Sequence, residues 1–325
     1  MKLLVTGGAG YIGSIVARML LDAGHEVVVL DNLERGHREA IAPGAQLIEV
    51  DLVDHDGVRE AVDNGFDGVL HFAALALVGE SVSHPDRYYR TNVGGTLNLL
   101  EAMVAAGVPK LVFSSTCAVY GEPDEVPIRE TEAPRPVNAY GASKLAVDHM
   151  IRDYCIAHDL GAASLRYFNV AGACDGAGED HDPETHLIPN VLKTVLGRQD
   201  HVSIYGTDYP TPDGTAVRDY IHIEDLGVAH LLALEATEPG RHQVFNLGTG
   251  RGFSVREVIA AAEQVTAHAI PVVECPRRPG DPPILVAASD RIRSELGWTP
   301  RKPTLEEMIS DAWAFTQSHP HGYGS

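Results

Sequence analysis

The sequence predicts an α/β protein: a doubly wound parallel sheet with a second, smaller α/β domain. Three observations predict it. Short, nearly continuous apolar runs alternate with helix-patterned segments through the first half, as strands covered on both faces of a parallel sheet require. A glycine-rich turn follows the first run and opens the first helical pattern. An acidic residue, Asp31, ends the second run.

Leu3-Leu4-Val5 is the first strand. Ile12, Ile15, Val16, Met19 and Leu20 then fall at i, i+3, i+4, i+7 and i+8, one stripe of a helix. Gly24 stands where a glycine ends such a helix. Residues 26–30, 46–50, 68–72 and 110–113 supply further strands, alternating with helices. Regularity fades after Val170. Residues 172–186 carry Asp175, Glu179, Asp180, Asp182 and Glu184 without a lysine or arginine, and residues 206–219 are rich in Gly, Pro, Thr and Asp. Both read as long surface loops of the binding kind. Ser254-Val255-Arg256-Glu257 and Thr304-Leu305-Glu306-Glu307 are capping boxes that start two more helices. The expected division is residues 1–170 plus 220–246 for one domain and 171–219 plus 247–325 for the other.

At 325 residues, 44% hydrophobic and 22% charged, the chain has the composition of a folded globular protein of about two domains. Its 25 Lys and Arg against 45 Asp and Glu leave a net charge of −20. Nucleic acid and anionic membrane surfaces demand the opposite sign, so neither is an expected partner. No apolar run approaches the ~20 residues that span a bilayer. Cys117, Cys155, Cys174 and Cys275 are scattered, with no Cys-x-x-Cys pair. With a start that lacks a long apolar leader, they point to a reducing, cytoplasmic setting. His181 and His186 bracket acidic residues, and His319 and His321 lie near the end. Neither set has the spacing of a closed ligand group, so polar loops and no metal are expected.

Gly7-Gly8-Ala9-Gly10-Tyr11-Ile12-Gly13 follows the first strand directly. Gly7 suits the tight turn, Gly10 the approach of a pyrophosphate to the helix N-terminus, and Gly13 close packing of helix on strand. Asp31 lies about 20 residues on, where a carboxylate binds a ribose diol. Its charge repels a 2′-phosphate, which favours NAD over NADP, although Arg35 and Arg38 are near in sequence. The context makes the first domain Rossmann-type. No Gly-Lys dipeptide occurs, so a Walker A phosphate loop is absent.

Of the 11 tyrosines only Tyr140 has a lysine four residues later, Lys144, which stacks phenol and ammonium on one helix face. Lowering a phenol from pH 10 to 7 takes roughly 4 kcal/mol. An ammonium ~4 Å away at an effective dielectric of ~20 supplies about that. Tyr140 is therefore the expected acid/base, with Lys144 depressing its pKa and holding the cofactor ribose. Thr116, at the end of the run that continues through Ser114 and Ser115, is the expected hydroxyl partner. Ser115 is its reserve.

These residues resemble the extended short-chain dehydrogenase/reductase family and, within it, the UDP-galactose (UDP-glucose) 4-epimerases, over essentially the whole chain. The general motifs are the glycine turn, Asp51-Leu52, Phe72-Ala73-Ala74, Asn92, Thr116 and Tyr140-x-x-x-Lys144. More specific are Val78-Gly79-Glu80-Ser81, Arg166-Tyr167-Phe168-Asn169, Asp208-Tyr209-Pro210-Thr211, Val217-Arg218-Asp219-Tyr220-Ile221-His222, Arg278-Pro279-Gly280-Asp281 and the closing His319-Pro320-His321-Gly322-Tyr323. The resemblance implies reversible epimerisation at the fourth carbon of a UDP-hexose, with a hydride passed transiently to tightly bound NAD while Tyr140 takes the hydroxyl proton. It implies a cofactor side of Gly7, Gly10, Tyr11, Ile12, Gly13, Asp31 and Asn32, continued by Asp51, Leu52, Phe72, Ala73, Ala74, Asn92 and Tyr167 with Tyr140 and Lys144. It implies a substrate side of Thr116, Tyr140, Phe168, Asn169, His186 and Leu187, continued by Tyr205, Arg218, Tyr220, Arg278, Asp281 and Leu285. A homodimer through helices near residues 92–106 and 140–158 is implied as well.

The chain departs from the family pattern at four positions. Val170 follows Asn169 where proline is common, Ala76 stands where some members have a cofactor-contacting lysine, Thr116 replaces serine, and His186 replaces a substrate-binding asparagine. Leu285 aligns with a gate that is tyrosine in strict hexose enzymes, which implies tolerance of UDP-N-acetylhexosamines. A 4,6-dehydratase would have Asp-Glu after Thr116, but Cys117-Ala118 follow. A UDP-uronic acid epimerase or decarboxylase remains an alternative. A non-catalytic NAD-sensing module is another, although degenerate members usually lose the tyrosine or lysine kept here. The dianionic substrate must be held against the −20 net charge by local donors, chiefly Arg218, Arg278 and Asn169.

Overall fold

The computed structural model describes residues 1–278 and 280–324. Pro279 of the Arg278-Pro279-Gly280-Asp281 motif lies outside them. The first half alternates strand and helix. It runs β1 Lys2–Thr6, α1 Tyr11–Asp22, β2 Glu26–Asp31, β3 Gln46–Glu49, α2 His55–Val62 and β4 Gly68–His71. Short helices α3 Val78–Ser83 and α4 Pro85–Tyr88 lead through a π-helical turn, Tyr89–Gly94, into α5 Gly95–Ala106. Then come β5 Lys110–Thr116, α6 Ala139–His158 and β6 Gly161–Tyr167.

The second half is more broken. It contains β7 Asn169–Ala171, α7 Leu187–Val195, β8 Val202–Tyr205, β9 Val217–His222, α8 Ile223–Glu235 and β10 His242–Leu247. After these come β11 Gly252–Ser254, α9 Val255–Thr266, β12 Val272–Cys275, β13 Ile284–Leu285, α10 Asp290–Leu296 and α11 Leu305–Ser318.

Seven parallel strands form one Rossmann-type sheet in the order β3-β2-β1-β4-β5-β6-β10. The order reverses between β1 and β4, so their C-terminal ends, Thr6 and His71, border the crevice where ligands bind in such sheets. One face is buried by α1 and α8, with Leu20, Leu226 and Trp298 in the core. The other is buried by α2, α5 and α6, with Val58, Leu99 and Ile151. A four-stranded sheet pairs β9 with β11, β13 and β7, and β8 pairs with β12. A separate core of α7, α9 and α11 lies beside it, around Val191, Val258 and Met308.

Both capping boxes form, each with the hydroxyl and the glutamate bonding reciprocally. Two segments differ from the sequence reading. The run at 110–113 continues as strand to Thr116, because Ser114, Ser115 and Thr116 pair with Leu165, Arg166 and Tyr167 of β6. The expected loop at 206–219 ends early, since Val217 already pairs with Ser254 and Ile284. In both, pairing with a neighbouring strand overrides the polar composition. Among the described residues no helix is long and apolar enough to cross a membrane.

Candidate active site

The crevice floor is made of main chain. Gly7 has φ +72, and a Cβ there would lie 2.5 Å from the Ala73 nitrogen. A Cβ on Gly13 would lie 2.2 Å from the Gly7 oxygen. Only glycine fits at either position. Gly10 differs: a Cβ would meet nothing nearer than the Gly7 oxygen at 3.4 Å, so no protein atom demands glycine there. Gly10 caps α1 without a side-chain hydrogen bond, which leaves first-turn N–H groups for an anion. These features fit a dinucleotide pyrophosphate.

Asp31 is buried at the end of β2. Its Oδ2 accepts from Ala9 N at 3.0 Å and its Oδ1 from Leu33 N at 2.8 Å. Burial raises its pKa, and those two amides oppose the rise. Each oxygen keeps a lone pair for a ribose hydroxyl. Asn32 donates to Asp51 Oδ2 at 2.9 Å, and Asp51 Oδ1 accepts from Val53 N. Leu52 is buried against Gly95, while the Phe72 ring lies tilted against His230, 4.8 Å between centroids. Ala74 is half-buried after β4. Tyr11 donates to Gly172 O at 2.6 Å, tying α1 to the loop that follows β7. Ile12 packs on the core beneath α1.

A chain of neutral hydrogen bonds crosses the floor. Thr96 Oγ1 donates to Asn92 O at 2.6 Å, so it must accept from His71 Nε2 at 2.8 Å. His71, buried and held neutral with its pKa pushed down to about 3, therefore has a bare Nδ1 that accepts from Thr6 Oγ1 at 2.6 Å. Asn92 Nδ2 donates to Ser143 Oγ at 3.0 Å, and Ser143 Oγ donates to Tyr140 O at 2.7 Å. The end of β1 is thus linked to the helix turn that carries Tyr140. Sequence reading missed His71, Thr96 and Ser143. Their only signals are polar residues at the end of a buried strand and inside amphipathic helices.

Asn138 caps α6 by accepting from Gly141 N at 2.8 Å, which sets Tyr140 in the first turn. Burial pushes the Tyr140 phenol up to about 12, and the Thr116 hydroxyl beside it acts in the opposite direction. Thr116 Oγ1 also accepts from Ala118 N at 3.2 Å, which aims its single proton away from that amide. Lys144 is engaged by β5. Its ammonium donates to Ser114 O at 2.7 Å and lies 4.7 Å over the Phe113 ring. Burial lowers its pKa to about 7. The phenol of Tyr167 shares a hydrogen bond with Ser114 Oγ. Below them, Arg166 and Asp148 form a buried ion pair at 2.8 Å that locks α6 onto β6.

The substrate side comes from the smaller sheet. Phe168 and Leu285 pack in one cluster with Cys117, directly after Thr116. Leu285 is also paired with Arg218 across β13 and β9. Arg218 donates to Asp281 and to Pro282 O, the latter at 2.9 Å. Next to it, Asp219 is fully buried and accepts from Thr249 N, Thr249 Oγ1, Gly250 N and Ala287 N at 2.8–3.1 Å. Burial raises it to about 6 despite those bonds. Asn169 pairs with Tyr220 in register, and the Tyr220 ring turns into the second core near Phe253. Arg278 stacks 3.9 Å above Tyr205, and both are exposed. Leu187 is the first residue of α7. His186 caps that helix and turns its Nδ1 to Glu179 at 2.7 Å and Glu184 at 3.0 Å.

The arrangement offers an acid/base phenol, an adjacent hydroxyl, a buried lysine, an anion-binding helix start and a diol-binding carboxylate. The chain is similar to known proteins over its whole length. The chain is 55% identical over 324 residues to a UDP-glucose 4-epimerase of Streptomyces lividans, covering 99% of this chain and 98% of that one. It is 54% identical over 319 residues to a UDP-glucose 4-epimerase of Corynebacterium glutamicum, covering 98% and 96%. The crystal structure of UDP-glucose 4-epimerase from Bifidobacterium longum in complex with NAD+ and UDP superposes with a TM-score of 0.94 at 38% identity, over 99% of this chain and 100% of that one. The pattern of the NAD dependent epimerase/dehydratase family matches residues 3–248, and the chain belongs to that family.

Proposed function

We propose that the chain is an NAD-dependent isomerase that interconverts UDP-glucose and UDP-galactose by epimerising the fourth carbon of the sugar. The observation that carries this reading is the Tyr140 phenol beside the Thr116 hydroxyl, at the C-terminal edge of the parallel sheet. NAD, when bound, accepts a hydride from the sugar and later returns it.

The chain's residues do the rest. Gly7, Gly10, Gly13 and the α1 N-terminus bind the pyrophosphate, and Asp31 with Asn32 binds a ribose. Thr116 donates to the sugar oxygen, and Tyr140 removes the proton from that oxygen and gives it back. A phenol held near 12 is a poor base at neutral pH, so Tyr140 works only once positive charge is brought to it. Lys144 supplies that charge if it turns from Ser114 O toward the phenol. Arg218 and Arg278 bind the diphosphate, and Phe168 and Leu285 wall the space in which the sugar turns. In this reading residues 171–219 and 247–325 form the UDP-sugar domain over the Rossmann domain of 1–170 and 220–246. The protein is a cytoplasmic homodimer joined through α5 and α6, where Leu97, Val104 and Ile156 expose apolar side chains.

Denaturing the purified protein should release about one NAD per chain, and the native protein should convert UDP-galactose to UDP-glucose without added cofactor. Conversion that needs a continuous supply of NAD would refute the internal shuttle.

A further inference from the structure

We propose that Glu179, His181, Glu184 and His186 form a structural zinc site that pins the loop after β7 to the start of α7. The four side chains come from one short run, Glu-x-His-x-x-Glu-x-His, and one ligand atom of each lies within 4.8 Å of the others. His186 Nδ1 is 2.7 Å from Glu179 Oε1 and 3.0 Å from Glu184 Oε1. His181 Nδ1 is 3.1 Å from Glu179 Oε1 and 3.9 Å from Glu184 Oε2. With zinc–ligand bonds of about 2.0 Å, the edges of a tetrahedral site are about 3.3 Å. The four imidazole–carboxylate separations bracket that length.

A second observation points into the same space. The Glu184 side chain is only 2% exposed, and its Oε2 has no hydrogen-bond partner although it faces His181. A buried carboxylate oxygen left unpaired is costly unless a cation meets it. Among the described residues, neither Glu179 nor Glu184 is paired with a lysine or arginine.

The other His/carboxylate cluster supplies the contrast. His222, Glu224 and Asp311 also converge. There Lys302 Nζ sits 2.6 Å from Glu224 and 2.7 Å from Asp311, so an internal ammonium already fills the cation position. The 179–186 cluster lacks such a lysine.

Two imidazoles and two carboxylates in four-fold convergence suit zinc better than calcium or magnesium, which take six or more oxygens. A four-ligand protein set leaves no open position, so the role is structural. His181 lies edge-on to Tyr11, 6.5 Å between ring centres, and His37 contacts Asp180 O at 3.0 Å. Zinc would therefore fasten the loop beside the glycine turn on one side and at the α7 N-cap on the other.

Full-length protein stripped with a chelator, reloaded with zinc and desalted should retain about one zinc per chain by elemental analysis. Its cobalt-loaded form should show the intense visible absorption of four-coordinate cobalt. His181→Ala/His186→Ala should abolish retention. Glu184→Gln, nearly isosteric, should weaken zinc binding by about tenfold or more. Asp311→Asn should leave retention unchanged. Zinc should raise the unfolding temperature of the wild type and not of the double variant. Retention below about a tenth of an equivalent in the wild type, weak six-coordinate cobalt absorption, or equal zinc affinity in wild type and Glu184→Gln would each overturn the proposal.

Discussion

The two sides of the crevice are held by different forces. The cofactor side is fixed by main chain and by neutral, buried groups: Gly7 against Ala73, Gly13 against Gly7, and the hydrogen bonds from Thr6 through His71 and Asn92 to Tyr140. On the substrate side the charged groups are partly exposed side chains, Arg218 already engaged with Asp281 and Arg278 stacked on Tyr205. Neutral contacts of high complementarity resist change, whereas a partly exposed ion pair costs little to exchange. A ligand that stays and a ligand that comes and goes call for these two kinds of wall.

The largest effect should separate chemistry from binding. Tyr140→Phe should lower kcat by about a thousandfold or more while leaving bound NAD near one per chain. NAD lost together with activity would mean that the phenol helps to build the cofactor side.

Acid should attack that side. His71 is pushed down to about 3, and His230 and His242 to about 4, each by burial in or against the large sheet. Below about pH 6.5 the unfolded chain takes up protons that the folded chain refuses, so their stabilising contribution is full above 6.5 and lost between 6.5 and about 4 for His230 and His242, and down to about 3 for His71. Asp219, raised to about 6, acts the other way, as do Asp31 and His186, while His222, lowered by burial, adds to the loss. The unfolding temperature should fall by at least about 5 °C from pH 7.5 to 5. A flat profile would show that these imidazoles are not held neutral.

Arg218→Gln should raise KM for UDP-glucose by about ten- to a hundredfold, with NAD content unchanged. A fall in NAD content would break the separation of the two walls. Smallest is Leu285→Tyr, which should reduce turnover of UDP-N-acetylglucosamine relative to UDP-glucose by about tenfold. If the wild type shows no N-acetyl activity, Leu285 only packs against Phe168.

The same contrast decides how much was legible in the sequence. The parallel sheet, the glycine turn, Asp31 and the Tyr140–Lys144 pair follow from local periodicity and spacing, because each is made by neighbours in the chain. The His71 chain was not legible, since it joins residues 6, 71, 92, 96 and 143, and no local pattern records that they meet. Nor was the turn of Lys144 toward Ser114, which depends on where β5 ends. His181 and His186 were readable as a set bracketing acidic residues, but their spacing did not mark a closed group. Their convergence with Glu179 and Glu184 depends on how the loop folds back on itself.

The hydrogen bonds from Thr6 to Tyr140 have only one arrangement of protons. Thr6 points to His71, His71 to Thr96, Thr96 to Asn92 O, Asn92 Nδ2 to Ser143, and Ser143 to the Tyr140 carbonyl. In ice, donors and acceptors can trade places, and a proton can hop along the row. Here no link can be reversed without stranding a donor. The row is an insulator rather than a wire, and it ends on the Tyr140 carbonyl rather than on the phenol, so it holds the helix turn in place and carries no proton to or from the site.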